Sequence, residues 1–198
     1  MGSAERLLVV LGGSQGAASL NKWVKEHLEA FASDGISVYC LTGMGNESSG
    51  VVEMTDPAGS SVPMRFVPFS DEMSTVLSAA DLVISRAGAG SISEIVRCRV
   101  PSILVPYPFA ADDHQALNAS FIEQKGAAIV CPQDQIGKLL FEEAREVMFN
   151  EEFRAVLRRN LVATDPGDVV SEIVFDVTNV LKESGNPDVI AGALPFAG

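Results

Sequence analysis

Short apolar runs alternate along the chain with segments whose apolar residues recur every three or four positions. The runs, rich in Val, Ile and Leu, predict buried strands near 7–11, 37–42, 64–68, 82–85, 102–105 and 127–130. The helical spacing predicts helices over 18–32, 72–80, 91–97, 115–125, 136–149, 151–161 and 168–182. Strands that alternate with helices build a sheet covered on both faces. The predicted fold class is therefore α/β, with a doubly wound, parallel, Rossmann-like sheet.

The remaining segments set the domain boundaries. Residues 1–5 begin with Met1-Gly2-Ser3 and read as a cloning remnant or linker, directly before the first strand. Residues 43–63, rich in Gly, Ser and Pro, predict a loop. Residues 6–183 are expected to form one domain, and 184–198 a flexible tail. Because the first strand starts so abruptly, we expect the chain to be half of a longer protein.

Composition excludes several classes of function. The chain has 198 residues, 47% of them hydrophobic, and a formal net charge of −12. Nucleic-acid binding needs clustered Lys and Arg, so this charge argues against it, and also against electrostatic docking on an anionic membrane. No apolar run is long enough to span a bilayer. The three cysteines, an odd number in or beside apolar segments, predict reduced thiols in a cytoplasmic protein.

A glycine-rich turn follows the first predicted strand, in LLVVLGGSQGAASLN at 7–21. Its glycines surround Ser14 and Gln15, and a helical pattern follows. The turn lacks the Lys-Ser or Lys-Thr pair of a Walker loop, and its glycine spacing differs from the dinucleotide motif. Alone it is a weak signal of phosphate binding.

A second turn of small residues, SRAGAGSISE at 85–94, follows the fourth predicted strand. Small residues allow backbone amides to approach a ligand, and a helix N-terminus attracts phosphate. Glu94 is placed to accept hydrogen bonds from a ribose diol. The alternative is that Ser91 and Glu94 form a capping box that starts the helix. Two such turns in one chain favour a diphosphate ligand at the carboxyl ends of a parallel sheet.

Together the motifs resemble the carboxy-terminal domain of the MurG family, bacterial cell-wall N-acetylglucosaminyltransferases. The resemblance covers residues 6–182 and rests on these motifs in this order: GGSQGA followed by Asn21, FSDEM at 69–73, SRAGAGSISEI at 85–95, VPYPFAADDHQALNA at 105–119 and GAA at 126–128. It implies half of a two-domain B-type glycosyltransferase fold (GT-B), with the nucleotide-sugar bound by this half.

The resemblance also implies roles for the candidate site residues among these motifs. Ser14 and Gln15 would face the diphosphate and sugar, and Phe69, Ser70 and Met73 would receive uracil. The stretch Gly88, Ala89, Gly90 and Ser91 would contact phosphate, and Glu94 would bind ribose. Arg86 would support the site or its electrostatics. His114 and Gln115 would read the sugar hydroxyls, with Asn118 one turn deeper.

Simpler roles are open for several of these residues. Phe69 and Met73 could be ordinary core side chains, and Arg86 a surface ion pair. His114 could be a capping or surface histidine, or a general base. We expect the acceptor site and the catalytic base in the missing amino-terminal half, so no catalytic residue is assigned here. The chain alone is expected to be inactive.

The function implied by the resemblance is inverting transfer of N-acetylglucosamine from UDP-N-acetylglucosamine to an undecaprenyl-diphospho-muramoyl-pentapeptide lipid. Its partners would be that donor, the amino-terminal half and the lipid-linked acceptor, with no cofactor or metal. The full protein would be a cytoplasmic enzyme, peripheral on the inner face of the membrane. Two alternatives are a donor domain of a related lipid glycosyltransferase and a non-catalytic subunit of a split glycosyltransferase.

Overall fold

The computed structural model describes residues 6–12, 18–44, 49–167, 175 and 178–179. The chain divides into two compact units, residues 1–164 and 165–198. In the second unit, Asp165 accepts a hydrogen bond from the Gly167 backbone N–H at 3.0 Å. Residues 175, 178 and 179 are helical, and the rest of the predicted helix 168–182 lies outside the described residues, as do 1–5 and 184–198. The predicted boundaries at 6–183 remain predictions.

The described part of the first unit is built on one seven-stranded sheet. Its strands are β1 (Arg6–Leu11), β2 (Ile36–Leu41), β3 (Gly50–Thr55), β4 (Ser61–Val67), β5 (Leu82–Ser85), β6 (Ser102–Leu104) and β7 (Ile129–Val130). Its helices are α1 (Ala18–Glu26), α2 (Leu28–Ser33), α3 (Met73–Ala79), α4 (Ala89–Cys98), α5 (His114–Gln124), α6 (Ile136–Phe149) and α7 (Glu151–Thr164), with 3₁₀ turns at Ala111–Asp113 and Gln133–Gln135.

The strand order is β3-β4-β2-β1-β5-β6-β7, and every pairing is parallel except β3 with β4. Successive residues of β1 alternate between two cores. Leu8 and Val10 join one apolar cluster, whereas Val9 and Leu11 join the other. Helices α1, α2 and α6 contribute to the first cluster, and α3, α4 and α5 to the second. The predicted doubly wound sheet is confirmed.

The order of the central strands determines where a ligand is expected to bind. The chain passes from β1 to β2 on one side, and β5 then pairs with β1 on the other. Ligands of open α/β sheets bind outside the carboxyl ends of the strands, where the strand order reverses. Here both turns of small residues follow those ends, one after β1 and one after β5.

Residues 43–63 do not form a continuous loop as predicted. They contain β3 and the start of β4, joined by a turn in which the Asp56 carboxylate accepts backbone N–H bonds from Ala58 and Ser60. The residues of β3 are mostly exposed, so they lack the buried apolar run from which the other strands were predicted. An exposed edge strand of this kind has little hydrophobic periodicity from which it could be predicted.

The predicted helix 18–32 is interrupted at His27. The His27 ring nitrogen Nδ1 lies 2.8 Å from the carbonyl oxygen of Trp23, and its backbone N–H bonds to Val24 in a tighter turn. The imidazole stacks on Phe141 at a ring-centroid distance of 5.1 Å. The interruption thus coincides with a side chain that bonds to the Trp23 carbonyl and packs against α6.

Helix α7 packs close to the end of α5 at a glycine. Gly126 has φ +62, and a Cβ at this position would lie 2.8 Å from Nδ2 of Asn160. The same Asn160 Nδ2 donates a hydrogen bond to the Gly126 carbonyl at 2.9 Å. Glycine suits this position for two reasons: it adopts the left-handed backbone conformation, and it has no Cβ to clash with Asn160. At the other end of α7, Asn150 Oδ1 accepts the Phe153 N–H at 3.0 Å and so caps the start of the helix.

The cysteines are free thiols. Cys40 and Cys131 are buried, and Cys98 is half-buried. Burial raises the pKa of Cys40 to about 12, and burial together with the charges of Glu143 and Asp134 raises the pKa of Cys131 to about 12. These two side chains therefore behave as small apolar core residues rather than as nucleophiles.

Candidate nucleotide-sugar site

A cleft of about 220 Å³ opens at the carboxyl ends of β1, β2 and β4. Its lining comes from strand ends, the segment after β4, and helices α3 and α4: Leu11, Leu41, Pro68, Phe69, Ser70, Met73, Ser91 and Glu94. Five of these residues were predicted from the sequence as ligand contacts. They come from two motifs that are distant in the chain, and the fold brings them together.

The apolar part of the cleft includes Phe69 and Met73. Phe69 is 63% exposed, so it is not the ordinary core aromatic of the alternative interpretation. Met73, the first residue of α3, is half-buried, packs against one apolar core and also lines the cleft. An exposed aromatic ring beside Leu11 and Leu41 can receive the flat face of a base.

Ser70 contributes to the cleft differently. Its hydroxyl accepts a hydrogen bond from the backbone N–H of Glu72 at 3.2 Å, which closes the turn before α3. The side chain therefore shapes the segment itself. The backbone groups of Ser70 remain the candidates for contact with the edge of a base.

The N-terminus of α4 forms the polar end of the cleft. The helix begins at Ala89, with Gly88 as its N-cap and no side-chain capping hydrogen bond. Ser91 is thus the third helical residue, and the alternative interpretation, a capping box between Ser91 and Glu94, is wrong. The backbone N–H groups of Ala89, Gly90 and Ser91 belong to the first turn, where no intrahelical acceptor exists. Among the residues that the structure describes, a Cβ at Gly88 or Gly90 would have no neighbour within 4 Å, which leaves room for an anion at this end.

Glu94 lies one turn after Ser91 on the same helix and is exposed. Among the described residues, its carboxylate makes no hydrogen bond or ion pair that would explain its position. The carboxylate is thus available to accept hydrogen bonds from ligand hydroxyl groups. Glu94 and the α4 amides together provide an acceptor for a diol beside donors for a phosphate.

Arg86 is buried rather than on the surface, with 7% of the residue exposed. Its Nη1 donates to the carbonyl oxygens of Val105 at 3.0 Å and Pro106 at 3.3 Å, and its Nη2 donates to Ser19 Oγ at 2.9 Å. Burial lowers the pKa of the guanidinium, and the neighbouring Tyr107 opposes this shift. The surface ion-pair interpretation is wrong, and Arg86 bonds to the protein itself.

The motif at the start of α5 reaches toward the same loops. Gln115 Oε1 accepts the backbone N–H of Tyr107 at 3.0 Å, and Asn118 Nδ2 donates to the Ala87 carbonyl at 3.1 Å. His114 is the first residue of α5 and is exposed. Asn118 therefore fixes the turn of small residues, whereas His114 and Gln115 lie at the beginning of the helix, outside the lining of the cleft.

Ser14 and Gln15 of the first glycine-rich turn lie outside the described residues, so their predicted contacts remain predictions. On either side of them, Gly12 is buried and α1 starts at Ala18. Sequence reasoning gave no role to Asn21, which is buried and donates from Nδ2 to the Thr42 carbonyl at 2.9 Å. The sequence contained one indication of this role, because Asn21 is a polar residue at a position of α1 that faces the core.

Comparison with known proteins identifies the family. Residues 7–165 of this chain match the family described as the glycosyltransferase family 28 C-terminal domain. This chain belongs to that family. The family 28 domain is 44% identical over 181 residues to a protein from Opitutus terrae named UDP-N-acetylglucosamine–N-acetylmuramyl-(pentapeptide) pyrophosphoryl-undecaprenol N-acetylglucosamine transferase. A protein of the same name from Prochlorococcus marinus is 42% identical over 160 residues.

The matches cover most of this chain but only part of each relative. They span 91% of this chain and 48% of the Opitutus protein, and 81% and 41% for the Prochlorococcus protein. The chain therefore spans about half the length of the curated relatives it matches. The crystal structure of Acinetobacter baumannii MurG superposes with a TM-score of 0.60 at 25% identity, covering 84% of this chain and 47% of that one. The expected family and the half-GT-B fold are confirmed.

Proposed function

We propose that this family 28 domain binds UDP-N-acetylglucosamine as the donor for inverting transfer of N-acetylglucosamine. The acceptor would be the C4 hydroxyl of the muramoyl-pentapeptide lipid of peptidoglycan synthesis (lipid I to lipid II), giving a β1→4 linkage. The observation that carries the proposal is the convergence of Phe69, Ser91 and Glu94 on one cleft beside the uncapped N-terminus of α4. The names of the relatives support the choice of donor and acceptor.

Each part of the donor has a chemically suited partner in this arrangement. Uracil would lie against Phe69 and Met73, with its edge bonded to the Ser70 backbone. The ribose hydroxyls would donate to Glu94, and the diphosphate would accept N–H groups from the first turn of α4. Ser14 and Gln15 would complete the diphosphate site, and His114 and Gln115 would read the sugar.

The domain would assist the departure of UDP without supplying the base. Negative charge develops on the diphosphate as the glycosidic bond breaks, and oriented amides with a helix dipole stabilise that charge. The acceptor-binding site and the base would come from the amino-terminal half of the parent protein, held peripherally on the cytoplasmic face of the membrane. No helix among the described residues is long and apolar enough to cross a bilayer.

A panel of nucleotide-sugars tests the donor assignment. Calorimetric titration of the chain should give the tightest binding for UDP-N-acetylglucosamine, with UDP-glucose and UDP-galactose weaker. Equal or tighter binding of UDP-glucose or UDP-galactose would contradict the proposal and favour a related lipid glycosyltransferase. Failure of all three to bind would remove the donor role altogether.

A further inference from the structure

Arg86 lies where four segments around the candidate site meet. Its backbone N–H donates to the Leu11 carbonyl at 3.2 Å, at the end of β1. Its side chain donates to Ser19 in the first turn of α1 and to Val105 and Pro106 at the exit of β6. We call these five residues the Arg86 network. It connects both strands that precede the small-residue turns.

The network continues into α5. Tyr107, next to Pro106, has its ring 5.4 Å from the Arg86 guanidinium, and its backbone N–H bonds to Gln115. Asn118 on the same helix donates to the carbonyl of Ala87, the residue after Arg86. The predicted sugar-reading helix is thus attached to the loops that flank Arg86 from two directions.

The geometry argues against direct phosphate binding by Arg86. The residue is 7% exposed, Nη1 makes two hydrogen bonds to carbonyl oxygens, and Nη2 makes one to a hydroxyl. A guanidinium presents donors in a rigid planar fork, so it can bond Val105, Pro106 and Ser19 together. A lysine ammonium carries the same charge at a single point and cannot reproduce that fork.

We propose that Arg86 is a positioning residue that fixes the diphosphate-side loops and the sugar-side helix α5 relative to each other. The proposal rests on the donor-binding function proposed above. Uracil and ribose contacts lie on Phe69 and Glu94, outside the network. Loss of the fork should therefore weaken binding of the sugar portion more than binding of the nucleoside diphosphate.

The test compares the affinities of UDP and UDP-N-acetylglucosamine in four variants: Arg86→Lys, Arg86→Met, Ser19→Ala and a control. Arg86→Lys should weaken UDP-N-acetylglucosamine about tenfold and UDP about threefold or less. Ser19→Ala removes one hydrogen-bond acceptor of Arg86. It should weaken the binding of UDP-N-acetylglucosamine about threefold and weaken the binding of UDP less than that. The control is Arg154→Lys, because Arg154 is also buried, at 8%, and bonds to Asp81 and Met148, beyond the amino ends of the strands. It should lower the Tm and leave both affinities unchanged.

The outcomes separate the possible roles of Arg86. If Arg86→Lys binds both ligands like the wild type, or Arg86→Met loses affinity that Arg86→Lys retains, the fork is not required and the proposal is wrong. Equal losses for both ligands would also contradict it. If Arg86→Lys does not fold, Ser19→Ala decides by the same criterion. A wild-type chain that binds neither ligand would overturn the proposed function, and with it this inference.

Discussion

Phe69 and Glu94 line the same cleft although they belong to separate motifs, one after β4 and one on α4. The aromatic ring is largely exposed, and the carboxylate lies on the helix whose first-turn amides have no side-chain cap. An aromatic surface, an acceptor for hydroxyls and a set of amide donors are thus adjacent. This combination matches base, ribose and phosphate in the order in which a nucleotide carries them.

Glu94→Ala should weaken UDP binding by about 1–3 kcal/mol, because it removes a charged acceptor for the ribose hydroxyls. The Tm should stay near that of the wild type, since Glu94 is exposed and does not cap α4. Calorimetry and thermal unfolding measure the two effects. Glu123→Ala, at an exposed glutamate on α5, should change neither. Unchanged UDP affinity in Glu94→Ala would exclude Glu94 from the site.

Phe69→Ala should weaken UDP and reduce the preference for UDP over GDP, because the ring supplies contact area for the base. Stability should change little, since the side chain is 63% exposed. Phe149→Ala is a matched control, because Phe149 is also exposed, at 45%, and stacks with Arg6 at the start of β1, away from the cleft. Should wild-type protein bind GDP as tightly as UDP, the base site around Phe69 and Ser70 would be wrongly assigned.

Only Cys98 should react rapidly with a thiol reagent at pH 8 in the folded chain. With a pKa of about 12, the thiols of Cys40 and Cys131 are ionised to about one part in ten thousand at that pH. The unfolded chain loses these protons first, so the free energy of unfolding should fall as the pH rises from about 8.5 toward 12. Rapid modification of all three thiols in the folded state would contradict this prediction, because it would show that Cys40 and Cys131 are accessible and reactive.

A preparation of these 198 residues should not transfer N-acetylglucosamine to the muramoyl lipid, even at saturating donor. Transfer requires donor, acceptor hydroxyl and base to be held together, and the effective molarity is lost without an acceptor site. Supplying the amino-terminal half of a relative should restore some activity if the halves associate. Formation of the disaccharide lipid by the chain alone would disprove the half-enzyme account and make His114 the first candidate base.

The elements with a strong apolar period were predicted well from the sequence. Strand β5 and helix α6 have the predicted bounds, because each buries a regular apolar pattern. The edge strand β3 escaped prediction because it is mostly exposed and lies within a segment, residues 43–63, that is rich in Gly, Ser and Pro. The break at His27 accompanies a side-chain contact with Phe141, more than a hundred residues away, and local spacing does not encode such a contact.

The ligand contacts proposed for the candidate site stay predictions. The sequence motifs named five of the eight residues that line the cleft, Phe69, Ser91 and Glu94 among them. They did not reveal that α4 starts at Ala89, which makes the capping box impossible and leaves the amides available. Nor did they show that Arg86 and Asn118 bond to backbone carbonyls, because such partners depend on how the loops meet in three dimensions.

A crystal structure of this chain with UDP tests the central claim most directly. The account predicts uracil against Phe69 with its edge at the Ser70 backbone, the ribose hydroxyls within hydrogen-bond distance of Glu94, and the diphosphate at the first turn of α4. Nucleotide bound elsewhere, or bound in the cleft with its phosphates away from α4, would contradict the account.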